Sequence, residues 1–391
     1  MVFKIIWALL LLAGFFYWLV QLIAAIRIMR HVPVLENIPD QELPEWPRVS
    51  VIMPARNEEQ TMVKALGIRL KDEYPNIEYI IVDDRSTDRT GEIVDAFAEK
   101  DPRIQPLHIQ ELPKDWLGKL YAMDMGAKKA TGDWLLFSDV DVHVRPSVVK
   151  KAVAYAETRK IDHLSIFPEI YPVSFLIDIL STIFVRMISL GGKLWEVEDP
   201  NSKAAVGSGS FNLVRRSAFE RSGAFEAIKL DQGDDVALGQ ILKETGSRQV
   251  LLNGRNWVGV VFYRSLREAV VAVERPTYTA LGNFSFARIF FAGWVLLWLE
   301  LSPYIAFLPI GIPYYRVVAV VMILLSLTTP ILMNRWFRRP IWSVFFMPLG
   351  SLIMVIMIWR SGLLGALRGG VYWRGTFYPT EILRKNQRLR L

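Results

Sequence analysis

Two aspartates one residue apart, Asp139 and Asp141, close the apolar run LLFSDVD at residues 135–141. In an extended strand the side chains at i and i+2 share a face, so the pair can offer oxygens to one hard cation. Mg²⁺ or Mn²⁺ accepts such carboxylates and keeps open positions for the phosphates of a substrate. A solvated strand-end turn with a helix cap nearby is the competing explanation. Two earlier apolar runs weigh against it. VSVIMPARNEE at 49–59 delivers the stretch Pro54 to Glu58, with Arg56 inside it, and EYIIVDD at 78–84 ends on Asp83 and Asp84. One acidic strand end is ordinary turn chemistry, whereas three in succession favour a metal-bound nucleotide.

The elements that must present these groups alternate. A helix follows the first run to about Lys71, and RSTDRT introduces another through Ser86 or Thr87 as its cap. A third strand is predicted near Ile104–Leu107, then a loop and helix over Gly118–Ala130, then LLFSDVD as the fourth strand. Strands alternating with helices predict an α/β domain whose mostly parallel sheet is covered on both faces. Ligands of such sheets sit at the carboxyl ends of the strands.

The chain has 391 residues, 52% of them hydrophobic and 22% charged, and its apolar content is concentrated in segments. Ile5–Ile26 is long enough to cross a bilayer. Arg27 and Arg30 follow it, so it reads as a retained anchor with the next segment in the cytoplasm. From about Pro47 to Tyr263 the composition is that of a soluble domain. Ile289–Ile312, Val317–Met333 and Ile341–Ile358 are again strongly apolar. The predicted organisation is an anchor at 1–30, a cytosolic domain at 47–263, membrane helices at 264–360 and a basic tail at 361–391.

Charge creates a parity problem. Three full C-terminal spans would put the tail outside, yet it carries Arg368, Arg374, Arg384 and Lys385, and the joint Arg335–Arg339 is basic as well. One stretch is therefore expected not to cross. Ile289–Ile312, with Glu300, Pro303 and Pro309, is the candidate for a broken, re-entrant or interfacial element. Val173–Leu190 reads either as an interfacial helix with Asp178 and Arg186 on its polar side or as a buried core helix. Juxtamembrane arginines account for the net charge of +7 and suit an anionic leaflet. No nucleic-acid motif accompanies them. The absence of cysteine excludes disulfides, thiolate chemistry and Cys-ligated metal.

The strings PARNEE, VDDRSTDRT, GK followed by YAMDMGAKKATGDWLLFSDVD, GSGSFNLVRRSAFERSGAF and GDDVALG stand in this order along the chain. Together they resemble the inverting family 2 glycosyltransferases with the GT-A fold. WLGKLYAM, the acid pair before VALG and the tail GGVYWRGTFYP are similar to the membrane enzymes of the hopanoid-associated and carotenoid glycosyltransferase group, relatives of ceramide glucosyltransferase. The likeness covers residues 47–262 and, less closely, the tail.

It implies a Rossmann-like GT-A domain that binds a UDP-sugar with Mg²⁺ or Mn²⁺ and transfers a hexose, with inversion, to a hydroxyl of a membrane lipid. On this resemblance Glu58, Asp83 and Asp84 match positions that hold uracil and ribose. Glu58 has the alternative of a first-turn helix acid. Lys119 matches a glycine-lysine loop that meets the diphosphate, and its alternative is a solvated lysine. Asp139 and Asp141 become the metal ligands, Asp141 the more direct. His143 reads better as a loop histidine than as a ligand.

Gly207–Phe211 reads as a close backbone approach beneath the sugar. Asp234 and Asp235 match the family's acidic pair, with Asp235 as base and Asp234 in support, though Asp-Asp replaces the usual Glu-Asp. Trp373 and Arg374 stand where the family places an aromatic and an arginine, or else form an interfacial belt. A polyprenyl-phosphate sugar synthase, a glycan-extending transferase and a membrane scaffold with a degenerate nucleotide domain are the remaining alternatives.

Overall fold

The computed structural model describes residues 2–307, 315–373 and 376–386. Helix α1 (Val2–His31) leads directly into the sheet domain: Ala25 and Ile28 are buried with Leu35 and Val49, and the Asn253 amide donates to the carbonyl of Pro33 at 2.9 Å. The domain then runs β1 (Val49–Ala55), α2 (Glu59–Arg69), β2 (Ile77–Asp84), α3 (Thr90–Ala98), β3 (Ile104–Ile109), α4 (Gly118–Lys129) and β4 (Trp134–Phe137). It continues through β5 (His143–Val144), α5 (Val148–Arg159), β6 (His163–Phe167), β7 (Glu169–Ile170) and the long helix α6 (Phe175–Gly191). Strand β8 (Asn212–Arg215), α7 (Arg216–Arg221), α8 (Asp234–Glu244), β9 (Gln249–Asn253) and β10 (Val258–Val260) complete it.

Seven strands form the main sheet in the order β3-β2-β1-β4-β8-β6-β9. Strand β8 is antiparallel to both neighbours and the other pairs are parallel. Every residue of β1, β2 and β4 is buried. Sheets covered on both faces require such continuous apolar strands, and this is why these three were legible as runs.

Two details depart from the expectation. Strand β1 runs on through Pro54, where the polar stretch was expected to begin, to Ala55, because β4 pairs with β1 only as far as Ile52 and leaves the missing proline N–H outside that ladder. Strand β4 stops at Phe137, so Asp139 and Asp141 are not neighbours on a strand face. The Asp139 amide donates instead to the Gly209 carbonyl at 2.8 Å, and the chain turns as Val142 N–H reaches the Asp139 carbonyl at 3.4 Å. A loop carries the pair toward the glycine segment.

After the domain come α9 (Leu266–Pro276), a single π-type turn at Thr277–Leu281, α10 (Phe286–Ile305), α11 (Tyr315–Trp336), a 3-10 turn at Ile341–Phe346 and α12 (Met347–Arg368). A hairpin of β11 (Gly370–Trp373) and β12 (Thr376–Pro379) and the short α13 (Thr380–Asn386) close the described chain. Among the described residues, five helical segments are long and apolar enough to cross a membrane, including α6 and the whole of 341–368. Pro309 and Arg374 lie outside the described residues.

Glycines set the helix approaches. A Cβ on Gly14 would lie 2.4 Å from Ser302 Oγ, so α10 crosses α1 there, and one on Gly293 would lie 2.3 Å from the Trp359 indole nitrogen of α12. Several later segments return to the sheet domain. The Asn253 side chain donates through Nδ2 to the Trp336 carbonyl at 3.1 Å, Arg339 donates to the carbonyls of Ile170 and Asp178 at 3.1 and 3.0 Å, and the Tyr378 hydroxyl donates to the Trp116 carbonyl at 3.4 Å. The C-terminal hairpin therefore rests against the domain.

Candidate active site

Helices α4 and α8 point their first turns at the loop beyond β4. Lys119, in the first turn of α4, places Nζ 2.9 Å from Asp139 Oδ1 and 2.9 Å from Asp234 Oδ2. One ammonium thus ties the Asp-x-Asp loop to the acid pair that opens α8. These two carboxylates keep Lys119 charged although it is buried.

The acid pair is divided by its surroundings. Burial alone would raise the Asp234 carboxyl, but Lys119 outweighs this and holds it below the usual carboxylate range. Asp235 is pushed up to about 6 by burial and then by the Asp234 charge, against the pull of Lys119. Its Oδ2 accepts the Gly209 amide and its Oδ1 the Val236 amide, each at 2.9 Å. The glycine segment approaches closely: a Cβ on Gly207 would lie 1.8 Å from the Asp235 carbonyl oxygen, and one on Gly209 would lie 2.8 Å from Asp139 Oδ2. A small pocket opens between these elements, lined by Lys119, Asp139, Gly209, Asn212 and Asp235, with the apolar Phe225 also in its wall.

Asp141 is two residues further along the same loop. Burial, then the charges of Asp139 and Glu58, raise its carboxyl to about 6, and among the described residues no lysine or arginine forms an ion pair with it. Asp139 and Asp141 act on each other as like charges, with Arg264 pulling the other way on Asp141, and a divalent cation is a group that would offset both. No group of three or more His, Asp or Glu side chains gathers at metal-ligand spacing among the described residues. An ion here would take its remaining ligands from phosphate and water, as Mg²⁺ commonly does. His143 sits on β5 with its ring 5.9 Å from that of Tyr171, and burial, then Lys64 and Arg69, lower its pKa.

The loops after β1 and β2 clasp each other. Thr87 N–H donates to Asn57 Oδ1 at 2.8 Å, Asn57 N–H to Ser86 Oγ at 3.0 Å and Glu58 N–H to Thr90 Oγ1 at 2.8 Å. Glu58 caps no amide with its side chain; its carboxylate accepts the Thr61 hydroxyl at 2.6 Å. Asp83 accepts the Ser86 amide at 3.2 Å and meets His108 at 3.3 Å. Asp84 is fully buried beneath Arg85, at 2.7 Å, with Arg56 at 3.8 Å. Pro54 is buried within β1. Trp373 lies on β11, where the Arg275 guanidinium stacks over its ring at 3.5 Å, and the charge of Arg275 also acts on Asp234.

Three contributors were not singled out from the sequence, although Asn212 lies within the GSGSFNLV string. Arg69, in the last turn of α2, is buried under the Asp-x-Asp loop and donates to Ser138 Oγ at 2.6 Å; that hydroxyl donates to the Ser210 carbonyl at 2.6 Å. Arg275 reads in sequence as one more juxtamembrane arginine, and Asn212 as a polar residue opening a strand.

The sequence profile of glycosyl transferase family 2 matches residues 50–223. The 4,4'-diaponeurosporenoate glycosyltransferase of Staphylococcus haemolyticus is 31% identical over 202 residues, which are 51% of this chain and 48% of that protein. The probable glycosyltransferase YdaM of Bacillus subtilis is 38% identical over 117 residues, 29% of this chain and 28% of that protein. The chain thus spans half or less of the length of these relatives. The solved mannosyltransferase PcManGT from Pyrobaculum calidifontis, in complex with GDP-Man and Mn²⁺, superposes with a TM-score of 0.55 at 17% identity, covering 92% of this chain and 98% of that one. At that identity the likeness is one of fold, and the fold is GT-A.

Proposed function

Starting from a chain whose residues 50–223 match the profile of glycosyl transferase family 2, we propose that this protein transfers a hexose from a UDP-sugar to a hydroxyl of a membrane lipid, with inversion. The observation that carries the reading is Lys119, whose ammonium joins Asp139 to Asp234 at 2.9 Å each and so sets the nucleotide side and the acceptor side of one pocket within reach of each other. The five apolar segments packed against the domain supply the surface at which a lipid hydroxyl meets a water-soluble donor. The 4,4'-diaponeurosporenoate glycosyltransferase of Staphylococcus haemolyticus, whose named acceptor is a carboxylate rather than an alcohol, supports a small-molecule acceptor without bearing on the hydroxyl.

In this mechanism Asp235 accepts the proton of the acceptor hydroxyl as its oxygen attacks the anomeric carbon. The bond from that carbon to the diphosphate breaks on the opposite face, and its electron pair leaves with UDP. Asp139 and Asp141 would hold a divalent cation, Mg²⁺ or Mn²⁺ as in the Mn²⁺ complex of PcManGT, which neutralises the departing diphosphate when bound. Glu58, Asp83 and Asp84 stand where the nucleoside lies, with Arg56 and Arg85 beside Asp84. Lys119 keeps Asp234 ionised and orients the acid pair. The hairpin bearing Trp373 closes the acceptor side, and the domain faces the cytoplasm, where UDP-sugars are available.

The test is to incubate the purified full chain with radiolabelled nucleotide sugars, Mn²⁺ and total membrane lipid, and to identify the product by mass spectrometry. Label from a UDP-sugar appearing in a lipid is the expected result. Label transferred only to a soluble glycan or to a polyprenyl phosphate would overturn the hydroxyl-lipid acceptor.

A further inference from the structure

Asn212 opens β8, opposite Phe137 of β4 and Ser165 of β6, and lines the pocket beside Asp139 and Asp235. It is 2% exposed. Its carboxamide oxygen is occupied from behind: the Ser165 hydroxyl donates to Oδ1 at 2.9 Å, and His163 Nε2 makes a close hydrogen bond to the same atom.

The tautomer of His163 follows from its burial. The ring is wholly buried, and burial lowers its pKa to about 4, so the imidazole is neutral and carries one N–H. Nδ1 has no hydrogen-bond partner. An orphaned N–H in that position would lose a full hydrogen bond, so the proton sits on Nε2 and is donated to Asn212. With two donors on its oxygen, the amide cannot rotate without breaking both. Its Nδ2 makes no hydrogen bond among the described residues, and the residue lines the pocket. A donor at a pocket wall with no protein partner is available to a bound ligand.

We propose that Asn212 reads the transferred sugar, its Nδ2 donating to a hydroxyl oxygen of the donor's hexose, with Ser165 and His163 as the positioning residues that aim it. This rests on the glycosyl-transfer reading above. A site built to hydrogen-bond one substrate hydroxyl discriminates against the epimer that lacks it there, so Asn212 contributes to the choice between epimeric donors. The residue supplies no proton or bond to the reaction.

The test is isothermal titration of the full chain in detergent micelles with Mn²⁺ and, separately, UDP, UDP-glucose and UDP-galactose. Wild type, Asn212→Ala and Asn212→Ser are compared; the serine keeps a polar partner for Ser165 and His163 but falls short of the sugar, and so controls for a folding loss in the alanine variant. UDP affinity is expected to stay within about twofold, while affinity for the preferred UDP-hexose falls about tenfold and the ratio between the two epimers shrinks toward one, the size of a lost hydrogen bond of about 1.4 kcal/mol. Equal weakening of UDP and UDP-hexose in both variants would mean a structural role only and overturn the proposal, as would UDP-hexose affinity unchanged in either. If wild type binds neither UDP nor a UDP-hexose, the glycosyl-transfer reading itself falls and takes this one with it.

Discussion

The amide of Gly209 donates to Oδ2 of Asp235 at 2.9 Å while its carbonyl accepts the Asp139 amide at 2.8 Å, so one glycine fixes the carboxylate assigned as base and ties it to the metal loop. Asp234 is held differently, by the ammonium of Lys119. Two adjacent acids thus have separable roles. Asp235→Asn keeps the shape and one acceptor oxygen, and should lower lipid glycosylation by about 10²- to 10⁴-fold with UDP affinity retained. Asp234→Asn removes a partner of Lys119 and should cost less, near tenfold. Normal turnover by Asp235→Asn would sink the base assignment.

The close approach at Gly207 gives a steric prediction. A methyl group there would lie 1.8 Å from the Asp235 carbonyl oxygen, and the obstacle is backbone in the first turn of α8, which cannot rotate away. Gly207→Ala should push that turn off the glycine segment, at about 1–3 kcal/mol of overpacking, and so lower both the melting temperature and transfer. Gly246→Asn serves as the comparison: Gly246 has φ of +81° and open space around its Cβ, and asparagine tolerates that conformation.

Asp235 also predicts a pH dependence. Its carboxyl is raised to about 6 by burial and by Asp234, and a base must be ionised to act. kcat/KM should therefore be level above that value and fall about tenfold per pH unit below it. Asp234→Asn removes the like charge, so the midpoint should move to lower pH. A midpoint unmoved by that substitution would assign the titration to another group.

How much of this was legible depended on distance along the chain. The strands β1, β2 and β4 showed themselves because burial on both faces demands unbroken apolar runs, and the acids at or just beyond their ends followed. The same reasoning put Asp139 and Asp141 on a strand face, and failed because the bond from Asp139 N–H to Gly209 pulls the chain out of the sheet, a contact to a residue 70 positions away. The Lys119 bridge to Asp234 and the stack of Arg275 on Trp373 are equally non-local. Sequence spacing marks periodicity and caps; it cannot say which distant charge will arrive.

The helical region carries its own test in Arg186 and Glu300, paired at 2.5 Å and both almost fully buried. Helices α1, α6 and α10 converge on this pair: the Tyr17 hydroxyl donates to Glu300 at 2.5 Å, and Arg186 donates to Gln21 Oε1 at 3.0 Å. Removing one member strands the other charge in an apolar bundle, which costs about 3–5 kcal/mol, whereas replacing both by apolar residues is often neutral. Glu300→Leu and Arg186→Met should each lower the thermal midpoint in detergent sharply, while the double variant recovers most of the loss. UDP affinity measured well below the midpoint should be unchanged in all three, because neither residue lines the nucleotide pocket. Additive losses in the double variant would show that the two charges do not depend on each other, and the pair would then not be what joins these helices.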